Sequence, residues 1–146
     1  MKKDILILLV IIGSFALLQT LNFVNTPERK NSPYLLQTND QNYVNTITKA
    51  GDWAMLEFWM PGCPACIRIK PHVNQLASEM VGQLSILTVN LNEAPAISGQ
   101  FQVNATPTLI LLYRGREVSR KMGYMSENEL QDWIFTYLEE TPDLTS

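Results

Sequence analysis

The hydrophobic residues recur with two different periods along the chain, and this alternation predicts an α/β domain. Residues 53–60 and 106–113 are mostly apolar runs, which is typical of strands buried on both faces, and residues 84–92 predict a further strand. Two longer segments place apolar residues three or four positions apart, as in a helix that buries one face. The first stripe consists of Ile69, Val73, Leu76, Ala77 and Met80, and the second of Leu130, Trp133, Ile134, Tyr137 and Leu138.

Turn and capping residues separate these segments and set their order. Gly51 and Gly82 follow helical stretches, at the position where glycine commonly ends a helix. A turn at residues 114–115 leads into a further strand, and Ser126 with Glu129 predicts a capping box before the last helix. The resulting order is strand, helix, strand, short helix, hairpin and final helix. It predicts a central mixed sheet of four to five strands flanked by helices.

The N-terminal residues have a different pattern. After Lys2 and Lys3, an unbroken apolar run extends from residue 5 to 18 and continues more sparsely to Val24. The run has no polar face, and a helix of about 20 residues measures about 30 Å, the thickness of a bilayer core. Residues 1–24 are therefore predicted to form an N-terminal hydrophobic helix, acting as a signal anchor or a signal peptide.

An uncleaved anchor is favoured over a cleaved signal. Only residues 14–16 approximate the small-residue motif of a cleavage site, and bulky residues follow them. The paired lysines lie on the cytoplasmic side by the positive-inside rule, which puts the rest of the chain outside the cytoplasm. Residues 25–40 combine two prolines with mixed charges and predict a linker, which leaves residues 41–146 for the folded domain.

The composition narrows the range of partners. The chain of 146 residues has a net charge of −3 and no long basic run, so nucleic acid is not an expected partner. The single histidine, His72, excludes a multi-histidine metal site, and its simplest interpretation is a solvated helix residue.

The only two cysteines, Cys63 and Cys66, are the main candidates for chemistry. A disulfide between them closes too small a ring to stabilise the fold through chain entropy. Cys63 lies where a strand meets a helix, and Pro64 suits the first helical position, so Cys63 is the expected N-cap. Free backbone amides and the helix dipole then favour a thiolate at Cys63, with Cys66 facing inward as its partner for thiol–disulfide exchange.

Two alternatives to exchange chemistry remain open on this evidence. One is a passive disulfide and the other is a zinc half-site. A closed zinc site needs four ligands, whereas the chain offers only Cys63, Cys66 and His72, so no metal is expected.

Residues 42–138 resemble the thioredoxin superfamily. The resemblance is carried by "EFWMPGCPACIRIKP" at residues 57–71, by "NATPTLILLYRGRE" at residues 104–117 and by the closing amphipathic helix. It implies a thioredoxin fold in which Cys63 is the nucleophile and Cys66 the resolving cysteine.

The resemblance also assigns roles to the surrounding residues. Glu57 takes the place of a buried acid that accepts the proton of Cys66. Pro107 matches a cis-proline, and this exposes the backbone of Thr106 for β-type pairing with a substrate. Trp59 matches a tryptophan that flanks the active site, and Pro71 matches a proline that kinks the helix.

Three departures from the family pattern concern the same region. Gly62 stands where many members carry tryptophan before the first cysteine, which alters the docking surface. Pro64 and Ala65 form the dipeptide between the cysteines, which affects the redox poise. The lysine that neighbours the buried acid in cytosolic thioredoxins is missing, and Thr88 falls near its place.

The function that the resemblance implies is thiol–disulfide exchange, most simply the reduction of disulfides in extracytoplasmic proteins. The redox group is the chain's own cysteine pair, no cofactor is needed, and a membrane protein supplies the electrons. The short link at residues 82–83 leaves no room for the helical insert of strongly oxidising relatives. The alternatives are a disulfide oxidase or isomerase and a non-catalytic peptide-binding module.

The expected location is the bacterial inner membrane, with a single N-terminal anchor and the domain facing the periplasm. If the N-terminal segment is cleaved, the domain is instead secreted or free in the periplasm.

Overall fold

A computed structural model of the chain describes residues 32–140, which form a five-stranded mixed sheet with helices on both faces. The elements in chain order are β1 (Leu35–Thr38), α1 (Tyr43–Thr48), β2 (Trp53–Trp59), α2 (Pro64–Glu79), β3 (Ser85–Asn90), α3 (Pro95–Gln100), β4 (Thr108–Tyr113), β5 (Arg116–Met122) and α4 (Glu127–Glu140). The predicted hydrophobic helix at residues 1–24 lies outside the described residues. Within residues 32–140, no helix is both long and apolar enough to cross a membrane.

The strand order β1-β3-β2-β4-β5 puts β2 at the centre of the sheet. The strands β1 and β2 both pair with β3 in parallel, while β4 pairs with β2 and with β5 in antiparallel fashion. The parallel connection from β2 to β3 runs through α2, and β4 and β5 form the predicted hairpin. The mixed sheet expected from the hydrophobic pattern is therefore confirmed.

The alternation of side chains along β2 divides the core into two layers. Met55 faces a layer that includes residues of α2 and α4, and Leu56 faces a layer that includes residues of α1 and α3. Both residues are fully buried, as is Phe58. A strand covered on both faces needs no polar positions, which explains why β2 is apolar at every position except Glu57.

The strand β1 lies within residues 25–40, the segment predicted to be a linker. Leu35 pairs with Ile86 and Thr38 with Val89, which adds a parallel edge strand to the sheet. Leu35 is buried in the core, whereas the two residues between it and Thr38 are exposed. A four-residue strand is too short to show a clear hydrophobic period, and nearby prolines and charges obscure it. The folded domain thus begins earlier in the chain than the composition indicates.

The helix ends follow the predicted signals. Ahead of α4, the backbone N–H of Ser126 donates to the Glu129 carboxylate over 2.8 Å, and the Glu129 N–H donates to the Ser126 hydroxyl over 3.4 Å. This is the reciprocal capping box. Pro71 lies inside α2, and the helix continues past it.

Candidate active site

Cys63 is the N-cap residue of α2, as the sequence predicts. Its backbone is extended, with φ −79° and ψ 111°, and Pro64 occupies the first turn of the helix, where a missing N–H breaks no hydrogen bond. The backbone N–H of Cys66 donates a hydrogen bond to the Cys63 Sγ over 3.2 Å. A sulfur at this place lies at the positive end of the helix dipole, so negative charge on it is stabilised.

The two cysteines form a disulfide, with 5.3 Å between their Cα atoms. Cys63 is partly exposed, whereas Cys66 is only 4% exposed. An external thiolate can therefore reach the Cys63 sulfur, and in the reduced state Cys63 is the sulfur that can attack an external disulfide. The pair thus consists of an outer sulfur and an inner one that can complete an exchange.

The loop before β4 brings a backbone carbonyl to the outer sulfur. The peptide bond between Thr106 and Pro107 is cis, as the resemblance implies. The Thr106 carbonyl oxygen lies 3.5 Å from the Cys63 Sγ. The Gly123 N–H donates to the Pro107 carbonyl over 2.9 Å, which ties this loop to the end of β5. An extended polypeptide that reached Cys63 would therefore meet the backbone of Thr106 beside it.

Glu57 is a buried carboxyl in the central strand, with only 4% of its surface exposed. Its neighbours across the sheet are Thr88 on β3 and Leu109 on β4. Burial raises the pKa of Glu57 to about 7, against the opposing effect of the charge on Lys70. A carboxyl that titrates near neutral pH can both accept and release a proton under physiological conditions.

Glu57 lies beneath the first turns of α2. It follows Met55 by two residues and so points to the same face of the sheet, where Met55 packs with Ile69 of the helix. Cys66 precedes Ile69 by three residues on the buried side of that helix. Since β2 runs toward the start of α2, the carboxyl and the inner sulfur occupy the same end of this layer.

A positive charge near Glu57 comes from the helix and not from the sheet. Lys70 lies one turn after Cys66, and its Nζ is 5.9 Å from the centroid of the Trp59 ring. The family pattern predicts this charge on the neighbouring strand, where this chain has Thr88. The spacing of four residues between Cys66 and Lys70 is the signal that could have identified it.

Gly62 occupies a position that other residues adopt only with strain. Its φ is +78°, in the left-handed region, and it is exposed directly before Cys63. A tryptophan at this position would be strained in this backbone conformation. Glycine at this position therefore fits the backbone conformation better than the tryptophan of the family pattern would.

Four apolar side chains that are near the cysteine pair in sequence, or at or just after the end of β5, are exposed, and we call Met60, Ile67, Met122 and Tyr124 the apolar rim. Met60 and Ile67 flank the cysteine pair in sequence, and Met122 pairs with Thr108 beside the cis-proline. The apolar rim was not predictable from the sequence, because its four residues follow neither the period of a helix nor that of a strand.

The fourth residue of the apolar rim, Tyr124, is held by two side chains of α2. The guanidinium of Arg68 lies 4.1 Å from the centre of its ring, and the His72 Nε2 is 3.3 Å from its hydroxyl oxygen. His72 also approaches the Glu127 carboxylate, at 3.9 Å. His72 thus lies on the helix as predicted, and its partly exposed side chain also has two side-chain neighbours.

No group of three or more histidine, cysteine or acidic side chains within residues 32–140 is arranged to hold a metal ion. The sulfur and carboxyl groups of this site are instead suited to exchange of a disulfide with another protein.

The parallel–antiparallel sheet, the cysteine pair at the start of α2 and the facing cis-proline define the class as a thioredoxin-fold dithiol–disulfide protein. The Thioredoxin family model matches residues 34–136, and the chain belongs to this family.

Curated relatives agree with this assignment. A thioredoxin of Haemophilus influenzae is 30% identical over 100 residues, which cover 68% of this chain and 94% of that protein. A thioredoxin of Rickettsia felis is 25% identical over 95 residues, which cover 65% of this chain and 90% of that protein. A chloroplastic M-type thioredoxin of Brassica napus is 28% identical over 101 residues, which cover 69% of this chain and 57% of that protein. The chain is therefore a thiol–disulfide oxidoreductase that uses its own Cys63–Cys66 pair and needs no cofactor.

Proposed function

We propose that this chain reduces disulfides in extracytoplasmic proteins while residues 1–24 hold it at the bacterial inner membrane. The apolar run behind Lys2 and Lys3 supports the anchor and its orientation, with the domain in the periplasm. The observation that carries the function is the position of the Cys63 sulfur. It accepts a hydrogen bond from the N–H of Cys66 at the start of α2 and lies 3.5 Å from the Thr106 carbonyl oxygen.

The first step is attack by the Cys63 thiolate on a substrate disulfide. A bond forms between the Cys63 sulfur and one substrate sulfur, and the other substrate sulfur leaves as a thiolate with the electron pair of the broken bond. The helix start stabilises the attacking thiolate. The backbone of Thr106 beside Pro107 positions the substrate strand by hydrogen bonding, and Trp59, Gly62 and Pro64 lie around the contact.

The second step is resolution of the mixed disulfide by Cys66. Glu57 accepts the Cys66 proton, and the Cys66 sulfur attacks Cys63. The substrate sulfur is released with the electron pair, and Cys63 and Cys66 remain as a disulfide. Each turnover thus transfers two electrons to the substrate, and a membrane electron-donor protein must return them to the pair.

The short connection after α2 favours reduction over oxidation. The helix ends at Glu79 and β3 begins at Ser85, with no additional domain between them. Strongly oxidising periplasmic members of the family carry a helical insert in the thioredoxin fold, so a minimal domain at the membrane fits a reductant better.

Charge in the apolar rim is expected to weaken substrate binding without changing the chemistry. Ile67→Asp places a carboxylate next to the cysteine pair, where it must be desolvated under a docked polypeptide. We expect KM for a disulfide-containing protein to rise about tenfold, since about 1.4 kcal/mol of lost binding corresponds to that factor, with kcat nearly unchanged. Both constants are measured by steady-state kinetics in which an added reductant regenerates the dithiol form of the chain after each turnover.

Val81→Asp is the matched control for this change. Val81 is an exposed apolar residue just beyond the other end of α2, about 20 Å away by the helix rise of about 1.5 Å per residue. Its substitution should leave KM unchanged. Equal KM values for both variants would show that the apolar rim does not bind substrate.

The redox state of the pair in the native membrane tests the direction of electron flow. Rapid acid quenching followed by alkylation should find Cys63 and Cys66 mostly as thiols, because an electron donor keeps a reductant in its dithiol form. A membrane-impermeant thiol reagent should label Cys63 in intact spheroplasts. A pair found mostly as a disulfide, in cells where substrate thiols are being oxidised, would instead identify an oxidase. Labelling only after lysis would contradict the extracytoplasmic location.

A further inference from the structure

The Thr88 hydroxyl is the one side-chain polar atom within residues 32–140 that is buried and has no hydrogen-bond partner. Thr88 is only 4% exposed, so bulk solvent does not satisfy this group. A buried hydroxyl without a partner is costly, and such groups in folded proteins usually bind an internal water molecule. Thr88 takes no part in the exchange steps described above.

Thr88 and Glu57 are direct neighbours across the sheet. They are register partners in the parallel pairing of β2 and β3, so their side chains point to the same face at the strand spacing of about 4.8 Å. Both are 4% exposed, and the Thr88 hydroxyl has no hydrogen-bond partner among residues 32–140. An unsatisfied hydroxyl and a buried carboxyl thus lie side by side beneath the first turns of α2.

We propose that the Thr88 hydroxyl is a positioning residue that holds a buried water molecule against the Glu57 carboxyl, and that this water transfers the proton of Cys66. The inference rests on the proposed function of Cys66 as the resolving cysteine. A water with a hydroxyl and a carboxylate as partners has the polar contacts that an internal water requires.

The proton transfer is balanced within these groups. The S–H bond of Cys66 breaks and its proton passes to the water, which at the same time gives one of its own protons to a Glu57 oxygen. The products are a Cys66 thiolate and a neutral Glu57 carboxyl, with the water restored. The thiolate then attacks the Cys63 sulfur in the mixed disulfide.

Other groups face this position from the surrounding elements. Lys70 of α2 acts electrostatically on Glu57, Cys66 lies on the buried side of the same helix, and Leu109 of β4 is apolar. Lys70 opposes the effect of burial on Glu57. Thr88 contributes no charge, so its contribution is restricted to placing the water.

The test uses the full-length chain with Thr88→Val, which removes the hydroxyl at nearly constant shape, and Thr88→Ser, which retains it. The measured step is resolution of a preformed mixed disulfide between Cys63 and a peptide thiol, followed by rapid quenching across pH. We expect Thr88→Val to slow this step about tenfold, a part of the roughly 10²–10⁴-fold contribution of positioned acid–base groups. Thr88→Ser should restore the rate to within about twofold of that of the natural chain.

The pH profile separates positioning from a structural effect. Loss of the water desolvates the Glu57 carboxylate further, so the pH midpoint of the resolution rate should move upward in Thr88→Val and not in Thr88→Ser. Thr38→Val is the matched control, since Thr38 is a buried strand threonine, 5% exposed, whose hydroxyl bonds to the Leu36 carbonyl. It should leave both rate and midpoint unchanged. Equal profiles for Thr88→Val and the natural chain would overturn the inference.

A crystal structure of the reduced natural chain gives a readout independent of turnover and of the folding of any variant. We expect an ordered water within hydrogen-bond distance of the Thr88 Oγ1 and a Glu57 oxygen, and direct contact between these two groups without a water would overturn the inference. If the natural chain exchanges disulfides but Thr88→Val behaves identically, only the role of Thr88 fails. If the natural chain itself resolves no mixed disulfide, the proposed function fails as well.

Discussion

Cys66→Ser is expected to accumulate a covalent complex with its substrates, whereas Cys63→Ser is expected to lose exchange activity. In the first variant, the exposed Cys63 still attacks a substrate disulfide, but no inner sulfur can release the product. In the second variant, a serine hydroxyl replaces the attacking thiolate. The rate should then fall by several orders of magnitude, the scale on which enzymes lose activity with their nucleophile. Non-reducing electrophoresis of membranes and turnover of a disulfide-containing protein measure the two effects.

The double variant with both cysteines replaced is the control for this trap. It retains the apolar rim and the backbone of Thr106 but has no cysteine thiol, so any protein recovered with it is held without a disulfide bond. Complexes formed by Cys66→Ser should disappear on treatment with a reducing agent. If Cys63→Ser keeps full function in cells and Cys66→Ser captures nothing, the chain acts as a peptide-binding module instead.

The fold was predictable where the hydrophobic pattern is long enough to define a period. The strands β2, β3 and β4 are mostly apolar and almost fully buried because helices cover both faces of the central sheet, and α2 shows its stripe over several turns. The edge strand β1 has only four residues, and two of them are exposed. A segment this short follows the register offered by β3, which no local pattern encodes.

The candidate site was predictable where neighbouring residues in sequence determine it. Cys63 and Pro64 specify the start of α2 by local rules, and the position of the sulfur follows from them. The contacts of Tyr124 with Arg68 and His72 join residues more than fifty positions apart, and they depend on how α2 packs beside the end of β5. Such contacts arise from tertiary packing, so the sequence offers no spacing from which to infer them.

The unusual acid in β2, Glu57, was predictable from the local sequence, whereas its neighbours depend on tertiary packing. A glutamate at position 57 within an apolar strand indicates a group retained for chemistry, and the structure buries it as expected. Its two neighbours could not be inferred together, because Thr88 lies beside it through the register of β3, whereas the charge of Lys70 comes from α2. The effective proton affinity of Glu57 is therefore a property of the packed layer and not of the strand alone.

Glu57→Gln is expected to stabilise the oxidised chain at alkaline pH and to slow resolution of the mixed disulfide. Burial raises the pKa of Glu57 to about 7, above the ordinary value of 4.5 that applies to the unfolded chain. Between these two values the folded state holds a proton that the unfolded state has lost, so stability falls as pH rises through this window. Above pH 7 the full penalty of a buried charge is present.

The size of this effect follows from the difference between the two pKa values. One pKa unit corresponds to about 1.4 kcal/mol, so charged Glu57 costs the fold roughly 3 kcal/mol at about pH 8 and nothing at about pH 4. A glutamine amide cannot ionise and has nearly the same shape. Denaturant unfolding of the oxidised chain, in which the disulfide-bonded cysteines do not titrate, should show this gain at about pH 8 and little difference at about pH 4.

The same substitution removes the proton acceptor for Cys66, so the gain in stability should come with a resolution rate at least about 10²-fold lower, the contribution typical of a positioned general base. Glu139→Gln makes the same chemical change at an exposed position on α4 and should alter neither property. If Glu57→Gln unfolded more easily than the natural chain at about pH 8, the carboxylate would be stabilised and not strained by its surroundings. A resolution rate equal to that of the natural chain would show that Cys66 loses its proton by another route.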